Sequence, residues 1–266
     1  VSAVSADPLR RIAELPGVDE AVQETRSIVD RLLGHRVLRR RSSDISMQAA
    51  LRGAHASATL AGADVPIEQV RTGEGQDPRV RGSLRVSGEL GSLVETWPKA
   101  PRQVLARLHV LAAADAVPTD SLGRPRMDGE PAEDPLGIGA PPSAAEASAR
   151  LDALGQIVST RSQTPALVVG AIVHGELMAL RPFGWGDGII ARSAERMTLI
   201  ERGLDPKSLV PTELGHQELE AEYGPALHGY LSGTAEGVGG WVAYCARAVA
   251  SGARDSLAAC EALKRG

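Results

Sequence analysis

An all-helical fold with at most a small hairpin is what the sequence predicts, and three observations predict it. Apolar residues recur at helical spacing along most of the chain, as in Val22, Ile28, Leu32 and Leu33. Start and stop signals punctuate those runs, among them Ser143 with Glu146, Thr164 with Pro165, and the stops Gly34, Gly62 and Gly203. Alternation of apolar and polar residues, the mark of a half-buried strand, is almost absent.

The first helix spans Val18 to Leu33 and stops at Gly34. HRVLRRRSS, with Arg39, Arg40 and Arg41, follows as a solvated connector, since a run of like charge favours water. ISMQAALRGAHASATLAG forms the next helix and closes at Gly62, Pro66 opens a short helical piece, and RTGEGQDPRVRGS is a loop. From Ser83 to Ala114 the spacing is helical again, broken at Trp97-Pro98. PTDSLGRPRMDGEPAEDPLGIGAPP is crowded with proline and glycine, and the alternation of Leu136 and Ile138 there predicts a small β-hairpin flap. Ser143 and Glu146 supply a capping box for a helix with Leu151, Leu154 and Val158 on one face. Thr164 and Pro165 serve as N-cap and N1 of a central helix that runs to Leu180. Further helices cover Ile189 to Ile200, Gln217 to Leu231 and Gly239 to Leu263.

At 266 residues the chain can bury the core of one large domain or two small ones. Hydrophobic residues make up 43% and charged residues 23%, the balance of a globular protein rather than a disordered one. A net charge of -4 exerts no pull toward nucleic acid. PALVVGAIVHGELMAL, the longest apolar segment, is too short and too interrupted by His174 and Glu176 for a membrane span, and reads as a buried helix. VSAVSADPLRR lacks the pattern of a signal peptide. Cys245 and Cys260 on one helix stand about 22 Å apart at 1.5 Å per residue, beyond disulfide reach, and two unpaired thiols fit a cytoplasmic protein. Only three lysines (Lys99, Lys207, Lys264) beside abundant arginine suggest a GC-rich bacterial gene. The six histidines form no HExxH or CxxC arrangement, so no metal site is expected.

The chemistry concentrates in LMALRPFGWGDGIIAR, Leu177 to Arg192, which holds the only phenylalanine, Phe183. A helix gives way to a loop spaced by Gly184, Gly186 and Gly188, and a second helix begins behind it. Glycine-freed N–H groups at a helix N-terminus attract anions, and Arg192, one turn in, is placed to reach a phosphate. The plain alternative is a tight turn between two helices.

Residue for residue, Arg181-Pro182-Phe183-Gly184-Trp185-Gly186-Asp187-Gly188-Ile189-Ile190-Ala191-Arg192 resembles a degenerate copy of the Fic (filamentation induced by cAMP) signature. That signature runs His-Pro-Phe, any residue, an acid, Gly, Asn, Gly, Arg, two free positions, Arg. His174 lies seven residues ahead of the motif, where Fic proteins often carry a histidine. GRPR, Gly123 to Arg126, resembles the lead into the Fic flap, with Pro125 in an aromatic slot. SATLAG, Ser57 to Gly62, resembles the inhibitory motif Ser-x-x-x-Glu-Gly, and YGPALHGYL with GWVAYCARAV resembles the closing helices of larger Fic proteins. The resemblance runs from about Ser43 onward. It implies a Fic-like helical bundle with a small β-hairpin flap, in which residues 1–82 resemble the inhibitory N-terminal region and residues 83–266 the Fic-like domain, the two forming one compact unit.

The same resemblance marks what is missing. The family's general base is Arg181 here, and a guanidinium accepts no proton at neutral pH. The acid that helps hold Mg²⁺ is Trp185, whose indole offers a hard cation no lone pair. The phosphate-nest asparagine is Asp187, the first motif arginine is Ile189, and the inhibitory glutamate is Ala61. Pro182, Phe183, Gly186, Gly188 and Arg192 keep their family identities, with Phe183 expected to be structural.

No catalytic residue is therefore assigned. Arg181 stands at the degenerate base position, His174 is the candidate replacement base, and Arg181, Gly186, Asp187, Gly188 and Arg192 form the expected binding set. Arg181 and Asp187 are expected to pair with one another, or Asp187 with Arg192, unless both face water. The first reading is a non-AMPylating pseudoenzyme acting as a binding or regulatory scaffold, with no cofactor. The second is a divergent adenylyltransferase-like enzyme with a replaced base, and only it calls for ATP and Mg²⁺. A third is a partner protein with a vestigial pocket. Expected partners are a protein or a small anionic ligand, with no nucleic acid and no membrane, and the oligomeric state is open.

Overall fold

A computed structural model describes residue 7 and residues 9–265. The described residues form twelve α-helices and one 3₁₀ turn at Thr119–Ser121, with no strand among them. In chain order these are α1 (Arg10–Ala13), α2 (Val18–Leu33), α3 (Leu38–Leu60), α4 (Ile67–Thr72), α5 (Pro78–Leu93) and α6 (Pro101–Ala113). They continue as α7 (Ala144–Ser159), α8 (Ala166–Leu180), α9 (Asp187–Glu201), α10 (Thr212–Glu218), α11 (Glu220–Leu231) and α12 (Ala235–Arg265).

The centre is α8. Apolar residues occupy its whole circumference, with His174 and Glu176 the only polar side chains, and it is buried from Leu167 to Leu180 apart from Glu176. It packs along α9, with α7 and α12 against other faces, while α12 also covers α2, α10 and α11. Trp241 on α12 donates its indole N–H to Ala171 O at 2.7 Å, giving its buried ring the hydrogen bond it requires. α3 and α6 flank α5, which also touches α9, and buried Trp97 donates to Thr198 Oγ1 at 3.0 Å. No helix among the described residues is long and apolar enough to cross a membrane.

Two helix crossings depend on absent side chains. A Cβ on Gly82 of α5 would lie 2.1 Å from Ala112 O, and one on Gly215 of α10 would lie 1.8 Å from Ala248 O. Neither backbone can yield without parting the helices. Gly215→Val is therefore expected to lower the unfolding midpoint by several degrees, following a cost of about 1–3 kcal/mol or more for overpacking. A thermal melt matching the wild type would show that α10 and α12 separate freely.

Several sequence expectations change. The β-hairpin flap does not form. Residues 122–142 carry five prolines, which donate no N–H, and Gly123, Gly129, Gly137 and Gly139 turn at positive φ. Side chains organise residues 122–142 instead into a flap without strands, with Asp134 accepting from Ile138 N and Gly139 N, both at 2.9 Å. The arginine run is not a connector but the first turn of α3. Buried Leu38 and Ile45 hold that helix to the core while Arg39, Arg40 and Arg41 face solvent, and a kink falls at Arg41. Pro165, at ψ 138°, stands outside α8 as its N-cap, and Thr164 donates its hydroxyl to Asp7 at 2.6 Å instead. The helix expected from Gln217 to Leu231 breaks at Leu219 into α10 and α11. Asp77, inside the expected loop, caps α5 by accepting from Arg79 N at 2.7 Å. Cys245 and Cys260 are buried free thiols on α12.

Candidate functional site

A cavity of about 330 Å³ opens where the α8–α9 loop meets the flap, the end of α3, the start of α5 and Tyr223 of α11. The loop begins with α8 ending at Arg181 in the left-handed region, φ 42° and ψ 61°, a conformation costly for a side-chain-bearing residue. Gly184 follows at φ 79°, and a Cβ there would sit 2.4 Å from Pro131 O of the flap. Its absence is what allows the flap to lie this close. Asp187 closes the loop, accepting from Phe183 N at 3.0 Å and Gly184 N at 2.8 Å. Burial pushes its carboxyl up to about 7, against the opposing pull of those two N–H groups, Arg181 and Arg126.

Asp187 is thus spent on its own loop, and none of the three arrangements expected for it and Arg181 forms. Arg181 turns to the flap, 3.4 Å from the Asp134 carboxylate, donating to Glu133 O at 3.4 Å and to Gly139 O. Burial lowers the pKa of this guanidinium, while Asp134 and Asp187 act to raise it. Arg126, from GRPR, ties the same elements together, its N–H donating to Pro182 O at 2.8 Å and its Nε to Arg181 O at 3.1 Å. Arg192 lines the cavity, as its sequence position suggests, but its guanidinium is already held. Its Nε donates to Ser57 Oγ at 3.1 Å, its Nη2 to Ser57 O at 2.9 Å and its Nη1 to Tyr223 Oη at 3.5 Å. The arginine crosses above Gly188, where a Cβ would lie 3.1 Å from Nη1. Ala61 lies on the cavity wall with Arg192, so the end of SATLAG and the loop do meet. Phe183 stacks on His109 with ring centroids 4.4 Å apart.

His174 does not line the cavity; Tyr223 stands between them. Five fully buried side chains form one chain of hydrogen bonds. Tyr223 Oη meets His174 Nε2 at 2.5 Å, His174 Nδ1 meets Glu195 Oε2 at 2.8 Å, His216 Nε2 meets the same oxygen at 2.7 Å, and His216 Nδ1 meets Tyr244 Oη at 3.1 Å. An ionised Glu195 can only accept, so each imidazole carries its proton on the glutamate side and each tyrosine donates to the other nitrogen. Burial holds His174 down at about 4 and pushes Tyr223 up to about 12. Burial also raises Glu195, but the two histidines outweigh it and keep the carboxyl at about 2. His174, Glu195 and His216 have metal-ligand spacing, yet both imidazoles have every nitrogen engaged, and an ion would have to expel two protons from a sealed core.

Mg²⁺, which the Fic resemblance implies, does not fit the cavity's residues. Trp185 fills the acid's place, and each lining carboxylate already has partners: Glu133 holds Arg79 and Gly186 N, Asp134 holds Arg181 and two backbone N–H groups, and Asp187 holds its loop.

An all-helical protein built around a helix–glycine loop–helix nest beneath a flap is the class that fold and site define. Its architecture is Fic-like. A Fic family protein from Desulfovibrio desulfuricans G20 superposes with a TM-score of 0.74 at 18% identity, covering 90% of this chain and 74% of that one. Two forms of Fic-1 from C. elegans superpose with TM-scores of 0.69, at 19% and 18% identity. They cover 91% and 92% of this chain and 72% and 73% of theirs. No protein-family model matches the sequence, and no curated protein matches it.

Sequence reasoning missed Arg79, Glu133 and Tyr223. Asp77-Pro78 is a helix-start signature that could have placed Arg79 in a first turn, but nothing local announces a partner 54 residues away.

Proposed function

We propose that this Fic-fold protein does not transfer AMP and serves as a binding or regulatory scaffold around a pocket for a small anion. Residues 1–82 and 83–266 act as one unit, a reading supported by α5 running across that boundary and by α3 packing on α5, α9, α10 and α12. The observation that carries the function is the engagement of Arg181. A group that cannot take a proton stands at the family's base position and is spent on Asp134 and two flap carbonyls. Arg181 is a latch for the flap.

Arg181→Ala is expected to speed amide hydrogen exchange between Glu133 and Gly139 about tenfold, the loss of a bond network worth about 1.4 kcal/mol, and to leave α8 and α9 unchanged. Unaltered exchange would remove the latch. Incubated with ATP and Mg²⁺, the protein is expected to release neither AMP nor pyrophosphate above the protein-free rate.

A second reading, a divergent transferase, has one observation in its favour: Asp187 lines the cavity with a carboxyl pushed up to about 7, in the range of a general base. Nucleotide turnover that rises through pH 7 and is lost in Asp187→Asn would establish it and sink the scaffold.

A further inference from the structure

The anion cradle holds an anion already, and it comes from the flap. Glu133 Oε2 accepts from Gly186 N, at the entrance to α9, at 3.4 Å. Its Oε1 accepts from Arg79 Nη2 at 2.7 Å, and its own N–H donates to Gly184 O at 2.8 Å. Arg79 in turn lies over Trp185, its guanidinium carbon 5.6 Å from the ring centroid. An indole face attracts a guanidinium, so the residue that replaces the family's acid positions a cation where the acid would have recruited one.

Charge around the cavity points the same way. Arg79, Arg181 and Arg192 face Glu133, Asp134 and Asp187 across it, three against three. Glu133 and Asp134 both belong to the flap. Once the flap lifts, three guanidiniums face Asp187 alone, an excess of at least two positive charges in a partly desolvated space. A doubly charged phosphate neutralises that excess. Two donors of these guanidiniums are unmet: the Nε of Arg181, a residue only 2% exposed, and the Nε of Arg79 have no hydrogen-bond partner among the described residues.

We propose that Arg79, seated on Trp185, is the cation that receives an anionic ligand, and that Glu133 is a built-in competitor which a phosphate group must displace, freeing the flap. The proposal rests on the reading of the pocket as an anion site and adds to it the ligand's class, a phosphate-bearing dianion bound without a divalent metal. Arg79 is not part of the glycine loop, and its pairing with Glu133 spans 54 residues. Specificity follows from the competition. A lone carboxylate merely equals Glu133, whereas a phosphate dianion brings more charge and more acceptor oxygens to the same donors.

Calorimetric titration of pyrophosphate, first in EDTA and then with Mg²⁺, tests this on wild type, Glu133→Gln, Arg79→Gln and the double variant. Glu133 is about 38% exposed at its side chain, so Gln there leaves the core intact, which a thermal melt verifies. Glu133→Gln is expected to bind pyrophosphate at least tenfold tighter than wild type in EDTA, and adding Arg79→Gln to lose that gain. Equal affinities for wild type and Glu133→Gln would overturn the competitor, and binding that needs Mg²⁺ would overturn the metal-free clamp. No binding in any protein, Glu133→Gln included, would overturn the anion-pocket reading itself.

Discussion

Glu195→Ala is expected to destabilise the protein by about 3–5 kcal/mol, the cost of stranding two buried donors at about 1–3 kcal/mol each and of leaving a cavity. For a chain of this size that is a fall of roughly 6–20 °C in the unfolding midpoint. Glu195 is 1% exposed, and one of its oxygens, Oε2, accepts from both His174 and His216. Alanine strands two imidazole N–H groups in a core that water does not reach, and it leaves a cavity. Glutamine separates these causes. Its single carbonyl oxygen can take the position of Oε2 and accept both bonds, so Glu195→Gln removes the charge and keeps the hydrogen bonds. A cost of about 1–2 kcal/mol is expected for it, well below that of alanine. Denaturant unfolding of the two variants measures the difference. Equal losses would mean that the charge, not the bonding, holds the network.

Stability is expected to fall on acidification from about pH 6.5 to pH 4. Burial depresses His174 in the folded protein to about 4, against an ordinary value of 6.5. Between those values the unfolded chain binds a proton that the native state refuses, so stability is lost as pH drops through the window. At about 1.4 kcal/mol per pH unit the loss from His174 is at most ~3 kcal/mol. His109, 1% exposed and also held at about 4 by burial, acts in the same window and with the same sign. Below it Glu195, held at about 2 against a usual 4.5, contributes stability that disappears as pH falls through its folded value. Asp187 opposes them. Its carboxyl is raised from 3.8 to about 7, so the native state binds the extra proton and stability declines as pH rises through that interval. Urea denaturation from pH 4 to 7.5 should therefore show a net rise with pH, steeper in Asp187→Asn than in wild type. A flat profile in both would indicate that none of these groups is shifted.

The fold was legible because its signals are local. Val22, Ile28 and Leu32 of α2 are buried as their spacing requires, and the predominantly apolar character of PALVVGAIVHGELMAL is that of a helix with no exposed face. Ser143 caps α7 by accepting from Glu146 N at 3.2 Å, a bond between neighbours in sequence. The flap defies its local pattern because Leu136 and Ile138 alternate like a strand while the prolines around them remove the donors that a ladder needs. Arg181, Asp187 and Arg192 line one cavity beside the loop, but nothing local in the sequence announces their partners. Arg192 finds Ser57 at a separation of 135 residues, and Arg181 finds the flap at 48.

What the sequence determined by itself is the helical architecture and the place of the glycine loop, since helix periodicity, caps and positive-φ glycines act over a few residues. Only the tertiary structure decided which charges meet. A guanidinium selects its carboxylate by distance in space, and helix packing sets that distance, bringing Glu133 of the flap to the start of α9 and sealing His174 behind Tyr223.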